Sequence, residues 1–227
     1  MKIYFSIFLF WVSVLAFGQD ETGNWLMYFG TNKINEKFSI HTEIQYRNHT
    51  IAPINIDQLL LRTGLNYHFD KNAFATVGYA YISNHLYDSD RKSPEVEEHR
   101  IWQQFITTNN LWRLKFEHRY RIEERFIENE FNTRFRYRLM VFLPINKPKI
   151  EEGTLFLGVY DEIFINGKEE LFDRNRLYGG LGYQFSENLN LQAGILYQRL
   201  RNTGKTFLQF GVVFNTDFRK KESYQVN

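Results

Sequence analysis

The sequence predicts an all-β chain: a single antiparallel transmembrane β-barrel of 10–12 strands after a cleaved signal peptide. Three observations predict it. An apolar leader opens the chain, nearly everything behind it alternates apolar with polar residues, and aromatic residues make up 18% of the whole. Successive strand side chains point to opposite faces, so each alternating segment has one apolar and one polar face. A membrane barrel turns the apolar face to lipid and the polar face to a wet interior.

The leader comes first. Met1 and Lys2 give a basic start, and Ile3 to Phe17 is apolar except for Ser6 and Ser13. The run is short for a membrane span and exits through Ala16-Phe17-Gly18, which predicts cleavage before Gln19. Residues 1–18 are thus expected to be a signal peptide and residues 19–227 the barrel domain. The chain has no cysteine, which excludes a lipid-anchored start, disulfides and thiol chemistry. Against 28 Lys and Arg stand 26 Asp and Glu. A near-neutral exported chain carries no overall nucleic-acid signature.

Behind the leader, about eleven segments alternate: 24–32, 38–48, 57–67, 73–83, 98–108, 111–122, 131–143, 154–165, 173–185, 189–199 and 206–218. Crossing a bilayer at a tilt takes about 9–11 residues. In the second segment Phe38, Ile40, Ile44 and Tyr46 look outward, and Ser39, His41, Glu43, Gln45 and Arg47 inward. In the third, Leu59, Leu61 and Leu65 oppose Gln58, Arg62 and Asn66. The fifth alternates poorly, because Trp102 and Ile106 share a face with Gln104. The sixth sets Trp112, Leu114, Phe116, His118, Tyr120 and Ile122 against Arg113, Lys115, Glu117, Arg119 and Arg121. The seventh sets Phe135, Tyr137, Leu139 and Val141 against Arg134, Arg136 and Arg138. In the ninth, Leu177 and Leu181 oppose Arg174 and Arg176. The last carries Leu208, Phe210, Val212, Phe214 and Phe218 at one parity, the kind of aromatic ending that outer-membrane assembly machinery reads.

Short turns are expected at 33–37, 68–72, 109–110 and 186–188. Longer acidic loops are expected at 49–56, 84–97, 123–130 and 166–172, with Asp88, Asp90 and Glu169 among their acids. Outer-membrane barrels combine short periplasmic turns with longer outer loops. The link after Leu143 is long but belongs by order with the short set. Single-chain bacterial barrels have even strand numbers. A count of eleven therefore implies either twelve, with a further strand in 84–97 or in the tail after Phe218, or ten, with the first segment outside the wall, and twelve is the favoured number.

Several segments also share a family's residues. They include Gly23-Asn24-Trp25, Lys37-Phe38-Ser39-Ile40-His41 with Glu43 and Tyr46-Arg47, and Glu98-His99-Arg100-Ile101-Trp102-Gln103-Gln104. They also include His118-Arg119-Tyr120-Arg121-Ile122-Glu123 with Arg125-Phe126, Arg134 to Arg138, and Tyr160-Asp161-Glu162 with Asn175-Arg176 and Gly179 to Tyr183. Over nearly the whole mature chain the sequence resembles the domain of unknown function 2490 family of outer-membrane proteins. The resemblance implies an outer-membrane β-barrel, and it implies no activity and no catalytic residues.

The functional lead is the inward arginine set. Arg113, Lys115, Arg119 and Arg121 should lie beside Arg134, Arg136 and Arg138, with Arg47, Arg62, Arg174 and Arg176 on other walls. Arginine stays charged and offers a planar fork to carboxylates and phosphates. The pattern predicts an anion track through the interior, with Glu43, Glu117 and Glu162 as counter-charges and Asp161 and Glu123 near strand ends. The alternatives are a structural barrel plugged by salt bridges, a lipid-modifying enzyme, and a soluble exported β-sandwich or barrel binding a ligand inside, which the many aromatic-faced segments disfavour. For the enzyme, Ser39 and His41 share a face, but same-face neighbours lie about 7 Å apart, too far for a nucleophile–base hydrogen bond. His99 is expected inside and His118 outside. No histidine pair has metal-ligand spacing. No cofactor and no metal are expected. The expected partners are outer-membrane lipid, the outer-membrane assembly machinery and small anionic solutes, without nucleic acid, and the expected location is the bacterial outer membrane.

Overall fold

The computed structural model describes residues 22–52, 54–87, 94–168 and 170–219. The expected signal peptide, Asp88, Asp90, Glu169 and the end of the tail lie outside the described residues. Eleven strands form one closed sheet: β1 Gly23–Lys33, β2 Phe38–Asn48, β3 Ile56–His68, β4 Ala73–Asn84, β5 Val96–Leu111, β6 Leu114–Ile127, β7 Glu130–Pro144, β8 Leu155–Asn166, β9 Phe172–Gln184, β10 Leu189–Arg199 and β11 Gly204–Phe214. Each pairs antiparallel with its neighbours in sequence. A two-residue strand, β12 Thr216–Asp217, continues β11 past Asn215 and pairs with Asn32 and Lys33.

The seam corrects two expectations, that the wall is antiparallel throughout and that a twelfth full strand exists. Each hairpin reverses the chain, so the first and last strands of an odd set run the same way. They pair parallel, from Gly23 opposite Phe207 to Phe29 opposite Val213. Asn215 interrupts β11, and its Oδ1 accepts the Thr31 backbone N–H at 3.0 Å. No strand edge is left open, which satisfies the backbone around the whole ring.

The connections follow from turn chemistry. Asn35 Oδ1 accepts from the N–H groups of Lys37 and Phe38, and Asp70 Oδ1 from those of Asn72 and Ala73. Such side chains close turns by bonding backbone a few residues on. The expected turn at 109–110 is one hairpin step later: Asn109 and Asn110 pair within β5, and Trp112 makes the bend at φ 55°. The expected long loop at 123–130 is only Glu128-Asn129, because β6 and β7 pair as far as Ile127 and Glu130. Loop length therefore separates the two ends less sharply than the sequence suggests. The end carrying 49–55 and 85–95 is called the loop end here, and the opposite one the turn end.

Outside, Leu26, Ile44, Leu61, Val77, Ile101, Phe135, Leu181 and Phe210 are all at least 40% exposed, and similar side chains circle the wall. Inside, polar residues share the space with two apolar clusters. One holds Trp25, Met140, Tyr178, Leu196 and Phe207, the other Leu60, Ala80, Ile82 and Trp102. Trp102 explains the irregular fifth segment: β5 alternates in burial, but its inward face includes Trp102 and Ile106. The indole fills the space left by Gly64 and Gly78, where an added Cβ would come within 2.9 and 2.6 Å of it.

Candidate functional site

The barrel encloses a cavity of about 1450 Å³ lined by residues from both ends, from Asp57 and Asn84 at the loop end to Lys115 and Asn215 at the turn end. Twelve arginines and four lysines line it, against eight carboxylates. All eleven basic residues expected in the anion track are among them. The structure arranges them as a network rather than as a free track.

Glu123 on β6 is its hub. The side chain is fully buried, and it receives Arg134 Nη2 and Arg136 Nη1 at 2.5 Å each. Arg62, Arg100 and Arg121 approach it at 3.6, 3.7 and 3.7 Å. The Arg62 contact crosses the interior, since β3 and β6 are not neighbours. A buried carboxylate is tolerable only with such partners. From the hub the network spreads. Arg62 reaches Glu43 at 2.7 Å, Arg100 reaches Glu98 at 2.6 Å, and Arg136 reaches Glu162 at 2.7 Å. Arg119 also binds Glu162, Arg125 binds Glu98, and Arg134 binds Asp173. Arg138 pairs with Glu117 at 2.5 Å and Arg174 with Asp173 at 3.1 Å. Glu43, Glu117 and Glu162 each face inward and pair with at least one of these arginines.

Sequence reasoning missed Glu98, Arg100, Arg125 and the central place of Glu123. The signal was present: Glu123 and Arg125 continue the inward parity of Arg119 and Arg121, but they fall in what reads as an acidic loop. Asp161 is not at a strand end. It faces outward in mid-β8 and accepts two hydrogen bonds from Asn175 Nδ2 at 3.1 Å. His99 is likewise outside, hydrogen-bonded at Nδ1 to the Tyr79 hydroxyl, because its neighbour Arg100 takes the inward place. His118 faces outward as expected, with Nδ1 2.9 Å from the Tyr137 hydroxyl.

Arg113 has a different setting from its neighbours. It lies in the turn after β5, and its Nη2 donates to the Pro144 and Lys147 carbonyls at 2.9 Å. These bonds hold the long 145–154 connection, whose residues 147–152 line the cavity at the turn end. Gly153 at φ 78° and the Thr154 hydroxyl, which accepts from Glu151 N–H, complete the fold of this connection.

Ser39 on β2 pairs with a residue of β3 and not with His41. Ser39 Oγ lies 2.8 Å from His68 Nε2, and His41 Nε2 lies 3.1 Å from Glu43. Ser39 is fully buried, and neither it nor His68 is among the residues lining the cavity. Among the described residues no group of acidic and histidine side chains is arranged to hold a metal ion.

A family model described as "Protein of unknown function" matches residues 22–209 of the chain. No curated protein and no solved structure matches it.

Proposed function

Because the chain belongs to the DUF2490 family of proteins of unknown function, kinship supplies no activity, and we propose one from the barrel itself. It is an outer-membrane β-barrel that admits small anionic solutes to an arginine-lined interior. The excess of Arg and Lys over carboxylates around the cavity carries this reading. Charged linings of one sign select ions of the other. The apolar outer belt supports the membrane location, since soluble monomers rarely expose contiguous apolar surface on this scale. The outward Leu208, Phe210, Val212 and Phe214 of the closing strand support recognition by the assembly machinery.

A second reading, a structural barrel closed to solutes, is favoured by the Arg62–Glu123 contact across the interior. Planar-bilayer recording of the refolded protein separates the two. The solute reading expects small anion-preferring currents, and Lys115→Glu should reduce the preference. Lys115 is exposed in the cavity wall and has no ion pair among the described residues, so the change should leave the fold intact. Cation preference, or silence together with no anion binding, would leave the closed barrel as the better account.

A further inference from the structure

Eight of the twelve cavity arginines have a carboxylate oxygen within 3.1 Å. Arg121 reaches Glu123 at 3.7 Å, and Arg113 is taken up by backbone carbonyls. Arg47 and Arg176 differ: among the described residues neither has an ion pair. Their acceptors are neutral amides. Arg47 donates from Nε and Nη2 to Gln45 Oε1 and from Nη1 to Gln58 Oε1, at 3.0, 2.5 and 2.6 Å. Arg176 donates only from Nε, to Gln198 Oε1 at 2.8 Å. Among the described residues its Nη1 and Nη2 groups have no protein acceptor, and neither is among the solvent-inaccessible polar atoms.

These two guanidinium groups come from β2 and β9, yet both stack over the Trp25 indole, at 4.0 and 4.7 Å from its centroid. Two like charges converge on one ring in a largely buried place. The acids that could offset them are engaged elsewhere: Glu162 with Arg119 and Arg136, and Glu43 with Arg62. Asp57 acts on Arg47 only from beyond ion-pair distance and lies 3.7 Å from His49. Neighbouring cations of this kind favour an anion between them, and an arginine fork fits a two-oxygen acceptor. Gln45 and Gln58 are held in place by Glu43 and Asn84, and the Gln198 amide nitrogen beside Arg176 is suited to a hydroxyl.

We infer that Arg47 and Arg176 form a binding site for the oxyanion of a small hydroxylated solute, a carboxylate or a phosphate on a sugar-sized body. The inference rests on the reading of the interior as a place for anionic solutes and names where they bind. The full barrel, refolded in detergent, would be titrated with glucuronate, glucose 6-phosphate and glucose. Binding would be read by calorimetry and by tryptophan fluorescence, since Trp25 lies against both arginines. At least one charged probe should bind saturably and glucose should not. The tighter of the two identifies the oxyanion. Arg176→Gln should weaken that binding at least 10-fold, and Arg47→Gln similarly. Arg201→Gln, on an exposed loop pairing with Glu170, should leave it unchanged.

Removing one of two facing like charges should not impair folding, and Arg47→Lys provides a variant of unchanged charge that loses only the fork. Charged probes binding wild type and Arg176→Gln within 2-fold of each other would overturn the site while leaving the wider reading standing. Glucose binding as tightly as the charged probes would overturn it as well. If neither charged probe binds the wild type, the site falls. The wider reading then falls with it only if the bilayer currents also show no anion preference.

Discussion

Glu123→Gln tests the network at its centre. The substitution keeps the shape and removes the charge that five arginines share. A unit charge pair at 4 Å is worth about 4 kcal/mol at an effective dielectric constant of about 20, so the five contacts could suggest a very large loss. The structure argues for less. Arg134 keeps Asp173, Arg136 keeps Glu162, Arg62 keeps Glu43, and Arg100 keeps Glu98. Only Arg121 is left with a neutral acceptor, Gln104. The amide that replaces the carboxylate also sheds the cost of holding a charge away from water. Breaking a buried ionic group by removing one partner typically costs about 3–5 kcal/mol, and that is the expected loss here. Urea unfolding of the refolded barrel, followed by tryptophan fluorescence, measures it. Pairing the change with Arg136→Gln should cost less than the two single losses together, because the second removes a charge the first has stranded. A loss below about 1 kcal/mol for Glu123→Gln would show that water, not protein, solvates these charges, and the description of a tight interior network would fail.

Three further outcomes follow from other parts of the barrel. Gly78→Ala drives a methyl group into the Trp102 indole and the Thr63 carbonyl, and overpacking of this kind costs about 1–3 kcal/mol; an unchanged unfolding midpoint would show that Trp102 moves freely. Arg113→Ala removes the bonds to Pro144 and Lys147, so trypsin should cut after Lys149 faster than in the wild type; an equal rate would mean the connection holds itself. The odd strand number puts Gly23 beside the loop 49–55 and Phe218 beside the turn after Lys33. In a barrel that spans the outer membrane as proposed, epitopes placed before Gly23 and after Arg219 should therefore label from opposite sides in intact cells, and labelling of both from outside would contradict that placement of the parallel seam.

Most of the wall was legible because the outer face follows a simple rule. The segment 38–48 coincides with β2, and 189–199 with β10. Inward parity was legible too, and it placed every expected arginine on the cavity. What alternation could not supply was the partner of each charge. Parity says that Glu123 and Arg62 both point inward. It does not say that they meet across the interior, which depends on barrel width and on strands far apart in sequence. Apolar residues on the inner face, such as Trp102 and Ile106, blurred the period for a physical reason: a narrow barrel fills part of its interior with side chains. The strand number misled because the even-number rule was given more weight than the eleven segments themselves.

The parallel seam and the proposed anion site occupy the same place. Parallel pairing is slightly less stable per residue than antiparallel pairing, and side chains reinforce this seam. Trp25 of β1 packs on Phe207 of β11 at 4.9 Å, and Thr216 donates to Asn32 at 2.7 Å. Arg47 and Arg176 press on the same indole from β2 and β9. Their mutual repulsion works against that contact, and an anion between them would remove it. Binding at the site should therefore tighten the weakest join of the barrel. A solute that binds only the folded form adds about 2.7 kcal/mol at 100 times its dissociation constant. The charged probe that binds tighter, supplied at that excess, should raise the urea midpoint of the wild type by the corresponding amount. In Arg176→Gln, with binding at least 10-fold weaker, the same concentration should add no more than about 1.4 kcal/mol, although the variant without probe should be no less stable than the wild type. Equal stabilisation of both proteins would place the anion elsewhere in the cavity and separate the seam from the site.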